Sequence, residues 1–308
     1  MGGMSVQQSV VAVVGPTASG KSSLAVRIAQ RLGAAEVVNV DSMQLYRGMD
    51  IGTAKPDAAE RAVVPHHLFD VLDVTDTASV AEFQQQARAV VADCHARGVT
   101  PVLVGGSALY VRAVIDRLDF PGTDPDVRQR WADELARRGS QALHDELARR
   151  DPAAAAQILP SNNRRIVRAL EVGELTGQPF VATMPPLESI YGDLAMLGLD
   201  VPRDVLEQRL SDRVDQMWAD GFVQEVRSLL PAGIEASRTA SRALGYQQIL
   251  AFLRGEISED EAREQTVTGT RKFARRQDRL FRKDPRIHWL PHDADDLLER
   301  AVSVVLSQ

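Results

Sequence analysis

The feature that most constrains this chain is a glycine-rich loop placed directly after a short apolar run. Val10 to Val14 has the pattern of a buried strand, and the next residues are Gly15-Pro16-Thr17-Ala18-Ser19-Gly20-Lys21-Ser22. This octet fits G-x-x-x-x-G-K-[ST] without a gap. Glycines there allow backbone N–H groups to wrap phosphate oxygens, and a following helix adds its positive dipole end. The sequence therefore predicts a strand, a phosphate-binding loop and a helix.

Several residues of this loop have a predicted task. Lys21 supplies a point charge, and the Ser22 hydroxyl can hold a magnesium ion. We assign phosphate binding to Gly15, Thr17, Ala18, Ser19, Gly20, Lys21 and Ser22. The motif predicts polyphosphate binding and leaves open which polyphosphate binds, ATP included.

The first 115 residues alternate β-branched runs with helical patterns. Strand patterns recur at Glu36 to Val40, His67 to Leu72 and Pro101 to Val104. A helix between them is predicted from a capping pair, Ser79 with Glu82, to a stop at Gly98. This alternation is typical of an α/β fold with a parallel sheet. We predict a P-loop NTPase-like parallel sheet core.

Helical signals replace the strand patterns near residue 120. Asp124-Pro125 and Asp151-Pro152 each combine an N-cap with a proline suited to the first turn. A strand pattern returns at Leu194 to Leu199, and helices are predicted from there to the end. We therefore predict a small all-helical insertion domain at residues 121–190 within a discontinuous core of residues 1–120 and 191–308.

Composition narrows the class of protein. The 308 residues are 44% hydrophobic, with no apolar run long enough for a membrane span, and we expect a cytoplasmic protein. The only cysteine, Cys94, leaves neither a disulfide framework nor a cysteine-rich zinc site, and we expect a buried thiol. Net charge is −6, so any nucleic-acid site must be a local basic patch.

Two segments supply such patches. Residues 271–286 contain eight basic and two acidic side chains. At helical spacing one face carries Arg271, Arg275, Arg279 and Arg282, and the face largely opposite carries Phe273, Gln277, Leu280 and Phe281. Stacked like charges repel, so an anionic partner explains them better than a solvated face does. Arg164, Arg165 and Arg168 form the second patch.

Asp41 follows the second strand pattern, at the sheet edge where open α/β sheets bind ligands. Its carboxylate can hold Mg²⁺ in a nucleotide hydrolase, or accept a proton from a nucleophile in a transferase. A turn or cap aspartate is a further interpretation. Metal binding by His66 and His67 with Asp70 is not expected, because adjacent histidines on a strand point to opposite faces.

The segment after Asp41 is more specific. Asp41-Ser42-Met43-Gln44-Leu45-Tyr46-Arg47-Gly48-Met49-Asp50-Ile51-Gly52-Thr53-Ala54-Lys55-Pro56 closely resembles the tRNA dimethylallyltransferase family, also called tRNA isopentenyltransferases. Further matches are Pro65 to Leu68, Gly105 to Tyr110, Arg164 to Val172, Gly245-Tyr246 and Arg271 to Arg282. Together with the loop they span residues 10 to 285. The chain resembles the bacterial type without a zinc finger.

This resemblance implies a reaction. Such enzymes move a dimethylallyl group from dimethylallyl diphosphate to N6 of the adenine at tRNA position 37, next to the anticodon, and release pyrophosphate. The resemblance implies that Asp41 is the general base, that Lys21 and Arg213 hold the pyrophosphate, and that Mg²⁺ is the cofactor. The implied RNA contacts are Asp41, Ser42, Met43, Gln44, Ser107, Arg128, Arg164, Arg165, Arg168, Arg242, Gly245, Tyr246, Arg275, Arg276, Arg279 and Arg282.

The expected partners are the tRNA anticodon stem-loop and the prenyl donor, with no membrane and no obligate protein partner. The chain departs from the family pattern at Ser107, where a threonine is usual, at Pro160-Ser161-Asn162 and at Arg279-Leu280. Ser107 keeps the hydroxyl, so its contact to the target nucleotide is expected to survive.

Two other functions fit parts of the chain. A small-molecule or nucleotide kinase would use the same loop, and it explains the first 110 residues equally well. It does not explain the arginine-rich segment or the helical insertion. A non-catalytic RNA-binding protein with a relic loop is disfavoured by the intact Lys21, Ser22 and Asp41.

Overall fold

The computed structural model describes residues 9–180 and 185–307. Its centre is a six-stranded sheet in which every neighbouring pair is parallel, in the order β3-β2-β4-β1-β5-β6. The strands are β1 (Val10–Val14), β2 (Ala35–Asn39), β3 (His66–His67), β4 (Thr100–Gly105), β5 (Leu194–Asp200) and β6 (Ile287–Pro291). Since β1 is central, the loop that follows it emerges at the middle of the carboxyl edge.

The described residues form thirteen α-helices. The first four are α1 (Lys21–Leu32), α2 (Ala58–Val63), α3 (Val80–Ala96) and α4 (Ala108–Ile115). The next four are α5 (Pro125–Arg138), α6 (Ser140–Arg150), α7 (Pro152–Gln157) and α8 (Asn163–Thr176). The last five are α9 (Arg203–Ala219), α10 (Phe222–Leu229), α11 (Tyr246–Leu253), α12 (Glu259–Phe281) and α13 (Leu297–Leu306).

Alternate residues of β1 supply two apolar layers. Val11 and Val13 pack with α1 and α13, whereas Val10, Ala12 and Val14 pack with residues of α3 and α4. All five side chains are fully buried, as expected for a strand covered on both faces. The core therefore fixes β1, and with it the start of the phosphate loop.

The chain forms two compact units, one up to Asp116 and again from Ser189, the other Arg117–Glu188. The predicted insertion overlaps the second unit at residues 121–188. Both expected caps are present in it: Asp124 accepts a hydrogen bond from the Val127 N–H at 3.1 Å, and Asp151 accepts one from the Ala154 N–H at 2.9 Å. Helices α5 to α8 share an apolar core.

Two expectations about strands were wrong. The strand predicted for His67 to Leu72 ends at His67, because Leu68 and Asp70 have φ angles of 61° and 56° that turn the chain. The segment from Ile287 was predicted as helix, yet β6 pairs with β5 there. Asp284-Pro285 ends the preceding helix pattern, but Ile287–Pro291 contains one β-branched residue, unlike the valine-rich runs that marked β1 and β2.

Among the described residues, no helix combines the length and apolar character needed to cross a bilayer.

Candidate active site

Two cavities meet at Asp41 on the carboxyl edge of the sheet. The loop cavity, of about 270 Å³, is lined by Lys21 and Ser22 of the phosphate loop and by residues such as Phe69. The helix cavity, of about 530 Å³, is lined by residues from α9, α11 and α12. Four residues line both cavities: Thr17, Asp41, Thr53 and Arg213. Asp41 is thus reachable from two sides.

The phosphate loop has the backbone that its glycines allow. Gly15 and Gly20 have φ angles of 142° and 97°, and Ala18 adopts a left-handed φ of 64°. A positive φ at alanine is strained and persists where surrounding structure enforces it. The Ser19 hydroxyl is buried and has no hydrogen-bond partner among the described residues. A loop with a buried unused donor is suited to an oxyanion.

Lys21 is the first residue of α1. Its stem is half-exposed, whereas its ammonium group lies inside the site and donates to the Pro16 carbonyl at 3.2 Å. Burial lowers the pKa of Lys21 to about 8; the Asp41 carboxylate acts in the opposite direction, and the Arg213 guanidinium lowers it further. An anionic ligand would restore the protonated form.

Asp41 is held by a buried neighbour that the sequence did not single out. Asn39 donates to the carbonyls of Asp41 at 3.0 Å and Leu68 at 2.9 Å, and its own oxygen accepts from the Asp41 N–H at 2.8 Å. Asp41 Oδ1 accepts from the Met43 N–H at 3.0 Å. Oδ2 has no hydrogen-bond partner among the described residues. The carboxylate is thereby fixed with one oxygen available.

Arg213 reaches the junction from the middle of α9. It donates to the Thr53 carbonyl at 3.4 Å, and burial lowers its pKa against the opposing effect of Asp41. Lys21 and Arg213 thus place two buried cations around one carboxylate. Because buried charges are stabilised by counterions, this local excess of positive charge favours a polyanionic ligand.

The segment from Asp41 to Pro56 is anchored by two residues. Glu225 accepts from the N–H groups of Asp50, Ile51 and Gly52 at 3.0, 2.6 and 3.2 Å. Buried Lys55 donates to the Tyr46 carbonyl, Asp50 and Asp70, each at 2.6 Å. The segment is therefore rigid on both sides of Thr53.

Two residues that were predicted to contact RNA, Gly245 and Tyr246, are buried in the structure. Tyr246 is fully buried, and its hydroxyl donates to Glu225 at 2.6 Å. Gly245 is also buried, with an added Cβ only 2.6 Å from Phe222. Neither residue offers RNA a free polar side-chain atom. Tyr246 lines the helix cavity, and Gly245 packs against Phe222, which also lines it.

The other predicted contacts near Asp41 are better placed. Ser42, Met43, Ser107, Arg242 and Arg276 line the helix cavity. Gln44 lines the loop cavity and donates to the carbonyls of Thr53 and Ala54 at 3.1 and 3.2 Å.

The arginines of α12 differ in their pairing. Arg275 is paired with Glu207 at 2.8 Å, and Arg282 is paired with Asp200 and lies 3.8 Å from the Trp289 ring centre. Arg279 is exposed and forms no ion pair or hydrogen bond with the described residues. Lys272, which the sequence prediction omitted, shares this property and lines the helix cavity. Leu280, predicted on the face largely opposite the arginines, is 47% exposed.

In the helical unit, buried Glu171 engages two of the predicted contacts. Arg128 and Arg168 lie 2.8 and 2.9 Å from its carboxylate, and Arg168 also donates to the carbonyls of Pro121 and Gly122. Both guanidinium groups therefore have a structural role. Arg164 and Arg165 are exposed on α8.

The histidine pair does not form a metal site with Asp70. His66 bonds the Val64 carbonyl, and Asp70 is taken by Lys55 and Arg61. His67, Glu36 and Cys94 do lie together, and Cys94 is buried as expected. Two hydrogen bonds from Arg97, at 2.6 and 2.7 Å, satisfy Glu36 and are the main cause that lowers its pKa to about 2, so the carboxylate is already neutralised.

Fold and site together define a phosphate-loop α/β protein with a second cavity across Asp41 from the loop. A family model described as IPP transferase matches residues 44–284. Curated relatives named tRNA dimethylallyltransferase include one from Thermobifida fusca, 60% identical over 96% of this chain and 94% of the relative, and one from Streptomyces avermitilis, 60% identical over 94% and 92%.

Solved structures agree with these relatives. A tRNA isopentenylpyrophosphate transferase from Bacillus halodurans is 40% identical with a TM-score of 0.73, covering 98% of this chain and 96% of that one. A eukaryotic dimethylallyltransferase acting on tRNA has a TM-score of 0.80 at 26% identity, covering 97% and 78%. The chain belongs to the IPP transferase family.

Proposed function

We propose that this protein transfers a dimethylallyl group from dimethylallyl diphosphate to N6 of the adenine at tRNA position 37, giving N6-isopentenyladenosine and pyrophosphate. The supporting observation is the position of Asp41, with one carboxylate oxygen free, where the loop cavity meets the helix cavity. The names of the relatives support the same reaction.

The loop cavity suits the donor. Its pyrophosphate would bind the Ser19 hydroxyl and backbone N–H groups of the loop other than that of Thr17, which is bonded to Gln277, with Lys21 and Arg213 beside it. Carbon–oxygen cleavage makes the allylic carbon electrophilic and gathers negative charge on the leaving pyrophosphate. Cations fixed in a partly desolvated site stabilise that charge without reorganising.

Mg²⁺ fits the same cavity. Ser22 is exposed there, and its hydroxyl has no hydrogen-bond partner among the described residues. One hydroxyl together with phosphate oxygens and water is a ligand set that this ion takes. Bound there, the ion would offset part of the charge on the leaving group.

The helix cavity suits the nucleobase, which has to leave the RNA stack to reach Asp41. Asp41 would accept a hydrogen bond from the exocyclic amine, orient it toward the allylic carbon, and take its proton as the nitrogen–carbon bond forms. Ser107 and Met43 line the route. The two substrates enter from opposite sides, so each would close the junction to water.

RNA binding would use cations at the mouth of the helix cavity. Arg242 and Lys272 line this cavity, and Arg279 lies further along α12; all three are exposed and form no ion pair with the described residues. Arg276 also lines this cavity and lies 5.3 Å from the Phe273 ring centre. In an acidic chain, such unpaired cations are the groups that phosphates of an anticodon stem-loop would engage. Arg164 and Arg165 remain a second proposed contact.

The test is incubation with an unmodified tRNA anticodon stem-loop and either labelled dimethylallyl diphosphate or γ-labelled ATP. We expect the prenyl label to move to the RNA, and a stem-loop with guanosine in place of the target adenosine to accept none. Transfer of the γ-phosphate to any acceptor would replace this proposal with a kinase. RNA binding without transfer would indicate a non-catalytic protein.

A further inference from the structure

Gln277 lies on α12 and is only 4% exposed, yet both of its polar atoms are used. Its Oε1 accepts from the Thr17 N–H at 3.0 Å, and its Nε2 donates to the Gly106 carbonyl at 2.8 Å. Thr17 belongs to the loop after β1, and Gly106 to the loop after β4. One side chain therefore connects two neighbouring loops at the carboxyl edge of the sheet.

The contact is specific to a neutral amide. Glutamine offers an acceptor and a donor on one planar group, which matches a backbone N–H on one side and a carbonyl on the other. The backbone is also built for it, because a Cβ on Gly106 would lie 2.3 Å from Gln277 Nε2. Replacement by an apolar side chain would leave two buried backbone groups unpaired.

The two loops bound the place where the cavities meet. Thr17 lines both cavities, and Ser107, which follows Gly106, lines the helix cavity. The bond to Gln277 directs the Thr17 N–H toward α12 and so withholds it from a phosphate. The orientation of Thr17 toward the junction thus depends on Gln277.

We infer that Gln277 is a positioning residue for prenyl transfer: it fixes the loops carrying Thr17 and Ser107 in one geometry, so that the donor carbon and the acceptor amine meet in line. This inference rests on the proposed function and deepens it. Misplacement by about 1 Å lowers the rate of such a reaction more than it lowers ground-state binding. The expected signature is therefore a fall in kcat with little change in donor affinity.

Gln277→Glu tests this role through pH. A protonated glutamate can accept from Thr17 and donate to Gly106, whereas the ionised form has no donor and places an anion against a carbonyl oxygen. Burial raises the pKa of such a carboxyl. We expect the ratio of variant to wild-type kcat to rise as pH falls, by up to about tenfold per pH unit above that pKa. The ratio cancels any pH dependence that both proteins share.

Gln277→Met keeps the length and removes both hydrogen bonds. We expect kcat to fall by about 10- to 100-fold at every pH, with donor affinity measured by calorimetry changing less than about threefold. Gln265→Glu, an exposed glutamine on the same helix, is the matched control and should show a ratio near one at all pH values.

The outcomes separate the inference about Gln277 from the proposed function. A pH-independent ratio for Gln277→Glu, with or without a lower melting temperature, would mean that the residue only packs and would overturn the inference while leaving the function intact. A wild-type protein that transfers no prenyl group to RNA would overturn both.

Discussion

The loop cavity and the helix cavity share four residues, yet they are assembled differently. The functional wall of the loop cavity is one stretch of sequence, Gly15 to Ser22, whose backbone angles and first helical turn create the site locally. The helix cavity is enclosed by residues from distant segments, held by Glu225 and Gln277 through hydrogen bonds between residues more than 170 positions apart. The proposed donor site is thus encoded largely in a motif, whereas the proposed acceptor site depends on tertiary structure.

The strongest test of this comparison is Asp41→Asn, which acts at the junction itself. The amide keeps the size of the side chain but cannot take a proton, so we expect the transfer rate to fall by about 10²- to 10⁴-fold. RNA affinity should change less than about tenfold, since a base acts chiefly in the transition state. Single-turnover transfer and RNA binding measure the two effects, and near-normal turnover would remove Asp41 from the base role.

On the loop side alone, Lys21→Met should weaken donor binding by one to two orders of magnitude, because a charge-assisted contact contributes about 1.5 to 3 kcal/mol. The melting temperature of the free protein should rise at the same time, since burial already disfavours the charged form of Lys21. Calorimetry and thermal denaturation give both numbers. Unchanged donor affinity would mean that the donor binds elsewhere.

Donor binding by the wild-type protein should also depend on pH, because Lys21 titrates near pH 8 in the free site. Because its pKa is about 8 in the free site and an anion favours the protonated form, donor affinity should fall as pH rises above 8, by up to about tenfold per unit. Donor binding near pH 8 should take up protons, seen as heats that depend on the buffer. In Asp41→Asn the fall should begin at lower pH, because the carboxylate raises the pKa of Lys21. If donor affinity did not change from pH 7 to pH 9, Lys21 would not be the group that binds the donor.

Gly52→Ala perturbs the helix cavity and spares the loop. Its new Cβ would lie 2.2 Å from Phe222 and 2.5 Å from Tyr246, which we expect to lower stability by about 1 to 3 kcal/mol and to weaken RNA binding. Gly192→Ala, which has open space around the new methyl group, is the control. Donor affinity should stay within about twofold in both variants. A parallel loss of donor affinity in Gly52→Ala would show that the two cavities are one cooperative structure.

The smallest expected effect is a difference in the salt dependence of RNA binding between variants of the unpaired and of the paired cations on α12. Each phosphate contact removed should reduce the salt slope of RNA binding by roughly 0.7 to 0.9. Replacing Lys272, Arg276 and Arg279 by Gln should flatten the salt dependence more than replacing Arg275 and Arg282, which already have acidic partners. Equal slopes for wild type and the triple variant would leave Arg242, Arg164 and Arg165 as the remaining candidates.

The same contrast explains what the sequence predicted. The phosphate loop, its flanking strand and helix, and the two proline caps follow from local rules that need no neighbour, and the structure has them. The bounds of β3 and the existence of β6 were missed, because β3 has only two residues and β6 lacks a run of β-branched residues. Both strands depend on pairing, with β2 and β5 respectively.

The site residues also fall into two groups, those that local sequence patterns predict and those that depend on distant contacts. Lys21 and Asp41 were predicted from the loop and from the end of β2, and both line the cavities. Asn39, Glu225 and Gln277 were missed as supports, since nothing in a single sequence shows that a polar residue will be buried against a distant backbone. Tyr246 was predicted to contact RNA because the sequence does not show that this residue is buried.

The hydrogen bonds that Glu225 accepts should slow the exchange of backbone amide hydrogens with solvent. Asp50, Ile51 and Gly52 lie in an irregular segment, where amide hydrogens ordinarily exchange with solvent quickly. Each of them donates to the Glu225 carboxylate, so exchange requires the turn to move away from α10 first. We therefore expect these three amides to exchange more slowly than amides of this segment that have no such acceptor.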